Sequence, residues 1–340
     1  MNQPAQPAIS VCIANYNGER MLVDCIESIL AQQCDEVVEI IVHDDASTDG
    51  SVALMQQRYP EVNLIVSDSN VGFCVSNNRL VDVAQGTYVL LLNNDAVLLP
   101  GALATLLAGA VEQNPHGILT LPQYDWASNA LVDRGCLLDP FYNPEPNLDP
   151  LRRDVAYVIG ACLWIPRTLW VELGGFTAWM VSIGEDIDLC CRARLLGRPV
   201  QALTQSGYRH RQGAQFGGNR PECGRLRSTY RRRGLSERNK TCAVLVLTPT
   251  LLLPLLLPLH ALLLVAEGLV LSVARRDWRL AQEVYLQALL WPLRARALLC
   301  EARREIQQSR QVSWRVFYRP FTLRPRKMTL LLRYGLPAVD

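Results

Sequence analysis

Residues 8–18 read AISVCIANYNG, an apolar run that stops abruptly at Asn, Tyr, Asn and Gly. Such a run, closed by turn-forming residues, reads as a buried strand feeding a loop. The next segment, MLVDCIESILAQQ (21–33), places Leu22, Cys25, Ile26, Ile29 and Leu30 at helical spacing. The alternation then repeats. VVEIIVHDDASTDGS (37–51), NLIVSD (63–68) and YVLLLNND (88–95) read as strands with polar ends. SVALMQQRY (51–59), VSNNRLVDVAQ (75–85) and PGALATLLAGAVEQ (100–113) read as helices, the last opened by Pro100. Strand–helix alternation builds a mostly parallel sheet covered on both faces, an α/β fold. Ligands of such sheets bind at the carboxyl ends of the strands. Asn15–Asn17, Asp44–Asp49 and Asn93–Asp95 all fall at such ends. No GxGxxG follows the first strand, so a dinucleotide site of the usual kind is not expected.

Farther along, 122–153 is rich in Asp, Asn and Pro and reads as a long loop with some strand, a candidate acceptor surface. YVIGACLWIP (157–166) is again a strand, and RTLWVELGGF (167–176) a short helix closed by Gly-Gly. SIGEDIDLCCRARLLG (182–197) sets Glu185, Asp186 and Asp188 at the front of a helix. Acids in a first turn satisfy open N–H groups and suit the helix dipole, so these three have a structural reading as well as a chemical one. Asp95 closes a very apolar strand, where a carboxylate needs a partner. Oxygen ligands of this kind suit Mg2+ or Mn2+, which bridge protein carboxylates and phosphates; a capping acid is the alternative.

NYNG, VHDDASTDGS, NVGF followed by NN, LLLNNDAVLLPGAL and GEDIDLCCRARLLG, in this order, resemble glycosyltransferase family 2. The resemblance runs from Ile9 to Gly213, more weakly to Asn239, and looks most like the bacterial rhamnosyltransferase-like branch. It implies a GT-A fold, a Rossmann-like sheet with helices on both faces, over residues 1–220. It also implies inverting transfer of a sugar from a nucleotide-diphosphate sugar. Tyr16, Asn17, Asp44, Asp45, Asn78 and Asn94 match nucleotide-binding positions. Asp95 matches the last acid of the DXD metal motif, and His210 a downstream His near metal and diphosphate. Asp186 matches the catalytic base, with Glu185 beside it. The first DXD acid is Asn93 here, and Asn15 stands where Thr is frequent. A nucleotidyltransferase on a similar sheet and a non-catalytic nucleotide-sugar-binding protein are the rival readings.

Charge divides the chain. Residues 1–219 carry 12 Lys+Arg against 24 Asp+Glu, and residues 220–340 carry 22 against 8. The basic part, 221–340, also holds a stretch from Thr241 to Ala266 without a charged residue. That length can cross a bilayer, but Pro249, Pro254 and Pro258 oppose a single straight helix. Arginines on both sides fit an interfacial or re-entrant helical region better than one crossing. The resemblance implies a sugar-nucleotide donor and a glycan or isoprenoid-linked glycan acceptor as partners, and the basic, apolar part implies the cytoplasmic face of the inner membrane. Nucleic acid is not expected, since no aromatic-rich basic platform is present. The 11 cysteines show no paired metal-ligand spacing and read as free thiols.

Overall fold

The computed structural model describes residues 6–213, 221–222 and 225–339. The chain forms two compact units. The first holds the chain up to Cys136, Pro146–Ala193 and Arg198–Arg211; the second holds Leu137–Glu145, Arg194–Gly197 and the chain from Gln212. The division expected between residues 220 and 221 borders residues outside those described.

In the first unit the alternation is realised as β1 (Ile9–Asn15), α1 (Glu19–Leu30), β2 (Val38–Asp44), α2 (Ser51–Arg58), β3 (Asn63–Val66), α3 (Phe73–Val83) and β4 (Tyr88–Leu92). There follow β5 (Ala96–Leu98), α4 (Ala102–Glu112), β6 (Ile118–Thr120), β7 (Gln123–Asp125) and β8 (Leu131–Asp133). After a short hairpin of β9 (Cys136–Leu138) and β10 (Pro144–Pro146), most of which belongs to the second unit, come β11 (Cys162–Pro166), α5 (Arg167–Leu173), α6 (Glu185–Leu195), β12 (Val200–Ala202) and β13 (Tyr208–His210). The main sheet has seven strands in the order β12-β6-β11-β4-β1-β2-β3. It is parallel except at β11, which runs antiparallel to both β4 and β6. Ile9, Val11 and Ile13 of β1 are buried, and α1 turns Leu22, Cys25, Ile26 and Ile29 into the same core. Each such side chain contributes about 1.5–3 kcal/mol on burial. Trp164 stacks on Tyr88 across β11 and β4, ring centroids 5.2 Å apart.

Two expectations shift. Helix α4 starts at Ala102, two residues after Pro100, because Gly101 takes a left-handed conformation ahead of it. The stretch 122–153 is less irregular than its composition suggests, since β7 and β8 pair and extend a second sheet, β5-β13-β7-β8. His210 lies on a strand of that same sheet.

In the second unit, α7 (Tyr230–Leu247) is capped by Thr229, whose hydroxyl accepts from Arg232 N. It ends just before Pro249, and α8 (Leu253–Arg275) restarts with Pro254 in its first turn, where proline is tolerated. The prolines thus divide the apolar stretch between two helices. A π-helical stretch (Leu280–Leu286) leads into α9 (Gln287–Arg294), α10 (Arg296–Ser309), the short α11 (Trp314–Phe317) and α12 (Arg326–Tyr334). The last carbonyls of α7 have no helical partner; Arg303 donates to Leu245 O and Thr248 O, and Gln307 to Val246 O and Leu247 O. A buried ion network ties α7, α8 and α12. Glu237 binds Lys240 at 2.9 Å and Lys327 at 2.8 Å, and Glu267 binds Arg233 at 2.7 Å and also Lys327. The described cysteines form no disulfide.

Candidate active site

Strands β1 and β2 are parallel and in register, so Asn15 and Asp44 end side by side. The buried amide of Asn15 is the hub of the site. Its Nδ2 donates to Asp44 Oδ2 at 2.8 Å and to Ser47 Oγ at 3.3 Å, while its Oδ1 accepts from Asn94 Nδ2 at 2.7 Å. One side chain therefore joins the ends of β1, β2 and β4. Asp44 also accepts from Ser47 N and Ser47 Oγ, which closes a tight turn. Asn17, at φ +50°, reaches the same turn: its N donates to Ser47 Oγ and its Oδ1 accepts from Thr48 N at 2.7 Å. Tyr16, between the two asparagines, is exposed. Asp45 faces the other way, accepting from Val71 N at 2.7 Å and from Gly72 N, and so fixes the entry to α3.

Gly18 is required by this arrangement. A Cβ there would lie 2.1 Å from Asn15 Oδ1 and 2.3 Å from Asn94 Nδ2. Gly18→Ala is expected to break the Asn15–Asn94 bond and leave buried amide groups unmatched, at about 1–3 kcal/mol. The check is a thermal melt of the variant beside wild type; an unchanged midpoint would show that the turn relaxes freely.

Asp95 and His210 meet across β5 and β13. Their Oδ1 and Nε2 atoms are 3.0 Å apart, both side chains are nearly buried, and Arg211 N donates to Asp95 O. The other ring nitrogen of His210, Nδ1, is buried without a hydrogen-bond partner. Ligands held 2.0–2.1 Å from a common small cation in octahedral geometry lie roughly 3 Å apart. A carboxylate and an imidazole at this separation would fit a shared divalent ion. Among the described residues, no cluster of three or more His, Cys, Asp or Glu exists to hold a metal unaided.

The neighbouring arginines do not extend that site. Arg211 pairs with Asp24 at 2.7 Å and stacks 3.9 Å over the Trp126 ring, and Arg209 donates to Asn129 Oδ1. Both are engaged by contacts within the protein.

The three acids at the start of α6 differ in their surroundings. Asp188 is 3% exposed and serves structure: Arg192 binds it at 2.8 Å and Thr177 Oγ1 donates to it. Arg192 in turn donates to Gly175 O and Leu173 O, which fastens α6 to the end of α5. Glu185 is 6% exposed. Asp186 alone of the three is half-open to solvent. Its Oδ2 accepts from Gly160 N at 3.2 Å and its Oδ1 from Ile187 N at 2.8 Å. Adjacent to Gly160, Ala161 O accepts from Asn93 N. Asp186 is thus linked through two neighbouring residues to the turn that carries Asp95. The backbone before these acids is strained. Val181 and Ile183 have φ of +67° and +69°, a region costly for β-branched residues.

Asn78 requires a correction. It was expected to touch nucleotide, but its Nδ2 donates to Phe176 O and its Oδ1 accepts from Phe176 N, both at 2.9 Å. Each end of the amide bonds the backbone after α5. Asn15 takes a larger part than its sequence position suggested; an Asn closing a buried strand three residues before Gly18 was the available signal.

Residues 10–169 match the glycosyl transferase family 2 profile. This segment is similar to glycosyl transferase family 2. The match covers every strand end described above except the α6 acids and His210. Among relatives of this family, the N-acetylglucosaminyl-diphospho-decaprenol L-rhamnosyltransferase of Mycobacterium tuberculosis is 26% identical over 190 residues, covering 47% of this chain and 62% of that protein. The succinoglycan biosynthesis protein ExoO of Rhizobium meliloti is 34% identical over 114 residues, covering 32% of this chain and 31% of that protein. The matched regions thus span less than two thirds of either relative. Among solved structures, S. aureus TarS 1-349 in complex with UDP-GlcNAc superposes with a TM-score of 0.54 at 18% identity, covering 92% of this chain and 90% of that one. GalNAc-T7 with UDP, GalNAc and Mn2+ gives 0.54 at 16% identity, covering 60% of this chain and 43% of that one. At such identities the likeness is one of fold, and that fold is GT-A.

Proposed function

We propose that this protein is an inverting glycosyltransferase that moves a sugar from a nucleotide-diphosphate sugar to a hydroxyl of a glycan or lipid-linked glycan during cell-surface polysaccharide synthesis. The observation that carries this reading is the gathering, within one unit, of the Asn15–Asp44–Asn94 hub, the Asp95–His210 pair and the half-open Asp186. Tyr16, Asn17, Asp44 and Asn94 would hold the nucleotide, with Asp45 shaping its loop; Asn78 is left out of that set. Asp95 and His210 would hold Mg2+ or Mn2+, which when bound neutralises the leaving diphosphate. Asp186, fastened by two backbone N–H groups, would take the proton of the acceptor hydroxyl as that oxygen attacks the anomeric carbon. The bond to the diphosphate breaks on the opposite side, so the configuration inverts in one displacement. Glu185, buried beside the base, would bear on its placement. The relative that acts on a decaprenol-linked glycan supports a lipid-linked acceptor.

The second unit supports attachment to the cytoplasmic face of the membrane. Helix α8 has 23 residues and a mean hydropathy of 2.1 in its most apolar window. One stripe, His260, Leu264, Gly268, Leu271 and Ser272, is buried, whereas Leu255, Leu262 and Val273 are 63–66% exposed. Glu267, in the same helix, is paired with Arg233 and Lys327. A helix with one ionic face and one bare apolar face suits the plane of the interface better than a crossing.

The test of the donor site is a thermal-shift series with UDP, dTDP, GDP and CMP, each with and without Mn2+, on wild type and Asp95→Ala. A nucleotide at a hundredfold its Kd stabilises by about 2.7 kcal/mol. The expected result is a shift for one diphosphate that needs both Mn2+ and Asp95. A flat response to all four would turn attention to the rival, non-catalytic reading.

A further inference from the structure

The chain that leads into α6 makes a turn that valine does not adopt by itself. After a single 3-10 turn at Ala178–Met180, Val181 sits at φ +67° and ψ −60°, and Ser182 N donates to Met180 O at 2.7 Å. This is the γ-turn of positive φ, the rare and strained form, and a β-branched residue at its centre is a steric outlier. The side chain is 36% exposed, so burial offsets only part of the cost. Such strain persists only where the surroundings impose it. Both backbone groups of Val181 are held: its N donates to Ala178 O at 3.1 Å, and its O accepts from Cys74 N at 3.2 Å, one of the open N–H groups at the start of α3. Gly72, at φ +86°, passes alongside; a Cβ on it would lie 3.4 Å from Val181 Cγ1. Farther on, Ile183 and Gly184 also have positive φ, and Gly184 O accepts from Asp188 N at 3.0 Å, which opens α6.

The segment that holds this turn is itself held by Asp45, which accepts from Val71 N and Gly72 N. Phe73, between Gly72 and Cys74, lies beside Asp186: a Cβ built on Gly160 would be 3.8 Å from the Phe73 ring and 3.9 Å from Asp186 Cβ. Residues 72–74 therefore meet the loop of Asp45 on one side and the approach to Asp186 on the other. We propose that Val181 is a positioning residue for the base: its strained turn fixes, through Val181 O and Cys74 N, where the first turn of α6 sets Asp186 relative to the proposed nucleotide loop. The inference rests on the reading of Asp186 as base. It adds that the base is located by an anchor five residues before it in the chain, shared with Asp45. The anchor works because it is stiff. A β-branched residue has few rotamers and few backbone alternatives, whereas glycine would make the anchored turn one option among many.

The test is release of nucleoside diphosphate from UDP-GlcNAc, dTDP-rhamnose and GDP-mannose by the full-length protein with Mn2+, water serving as acceptor. The water oxygen bonds the anomeric carbon, Asp186 takes its proton, and the diphosphate leaves with the bonding pair. Val181→Gly removes the strain and should raise the melting midpoint by about 2–4 °C, yet lower kcat about tenfold with KM for the donor unchanged. Val181→Ile, which restores the branched Cβ, should restore kcat. A role in folding alone would move stability and turnover in the same direction. The effect on kcat should also vanish in the Asp186→Asn background, where no base is left to place. Amide hydrogen exchange follows the anchor without any donor: Cys74 N–H should exchange about tenfold faster in Val181→Gly than in wild type. Val181→Gly with wild-type kcat, or with an equal loss in both backgrounds, would overturn the positioning role and leave Asp186 as the base. Asp186→Asn that releases diphosphate as fast as wild type would overturn the base assignment and the inference with it. Where none of the three donors is hydrolysed, the exchange rates decide, and equal protection of Cys74 in wild type and Val181→Gly would overturn the anchor.

Discussion

Asp186→Asn is expected to lower transfer by 10²–10⁴-fold, the usual worth of a general base, and to leave donor binding intact. The asparagine is isosteric and its Oδ1 can still accept from a backbone N–H, so the start of α6 keeps its shape. What is lost is the ability to take a proton. Turnover should fall with little change in KM for the donor, and the nucleotide-induced thermal shift should persist. Asp188→Asn distinguishes base from helix structure. Asp188 is held by Arg192 and Thr177, so its loss should show first in the melting temperature. If Asp186→Asn keeps near-wild-type turnover, another group is the base.

The second large effect concerns Asp133, at the end of β8, opposite Gln123 of β7. Burial pushes its carboxyl up from the ordinary 3.8 to about 7, and one hydrogen bond from Gly135 N offsets this only in part. Between these two values the folded protein holds a proton that the unfolded chain has released. Stability from this group therefore falls as pH rises through that window, and the penalty is complete above about pH 7. A shift of three units corresponds to roughly 4 kcal/mol. Asp133→Asn keeps the acceptor for Gly135 N and cannot ionise. It should be more stable than wild type at pH 8, by on the order of 3 kcal/mol, and close to wild type at pH 4. Denaturant titrations of both proteins at the two pH values make the comparison. An equal difference at both would show that Asp133 stays charged in the fold.

Much of the first unit can be read in the chain because a buried parallel strand leaves a strong trace. Val38–Asp44 and Tyr88–Leu92 are apolar runs with polar ends, and those ends lie at the same edge of the sheet. The direction of β11 leaves no such trace. Cys162–Pro166 is apolar whether it runs parallel or antiparallel, so its place between β4 and β6 emerges only in three dimensions. Site residues divide in the same manner. Asp95 on an apolar strand announces a need for a partner, although nothing local says that the partner is His210. Asn78 misleads because its two bonds go to Phe176, 98 residues away. The break between α7 and α8 was legible in Pro249, since proline acts on its own backbone. The ion network of Glu237, Glu267 and Lys327 was not, because its members lie 30 and 60 residues apart.

The hub on Asn15 also constrains how the proposed donor site can vary. A single amide serves Asp44 on one side and Asn94 on the other, with Gly18 pressed against both ends of the second bond. Substitutions in contact through a shared partner do not add; they couple by 0.5–3 kcal/mol. Residues 15, 18, 44 and 94 therefore behave as one heritable unit. A change at any one of them is accommodated by concerted exchange within this quartet.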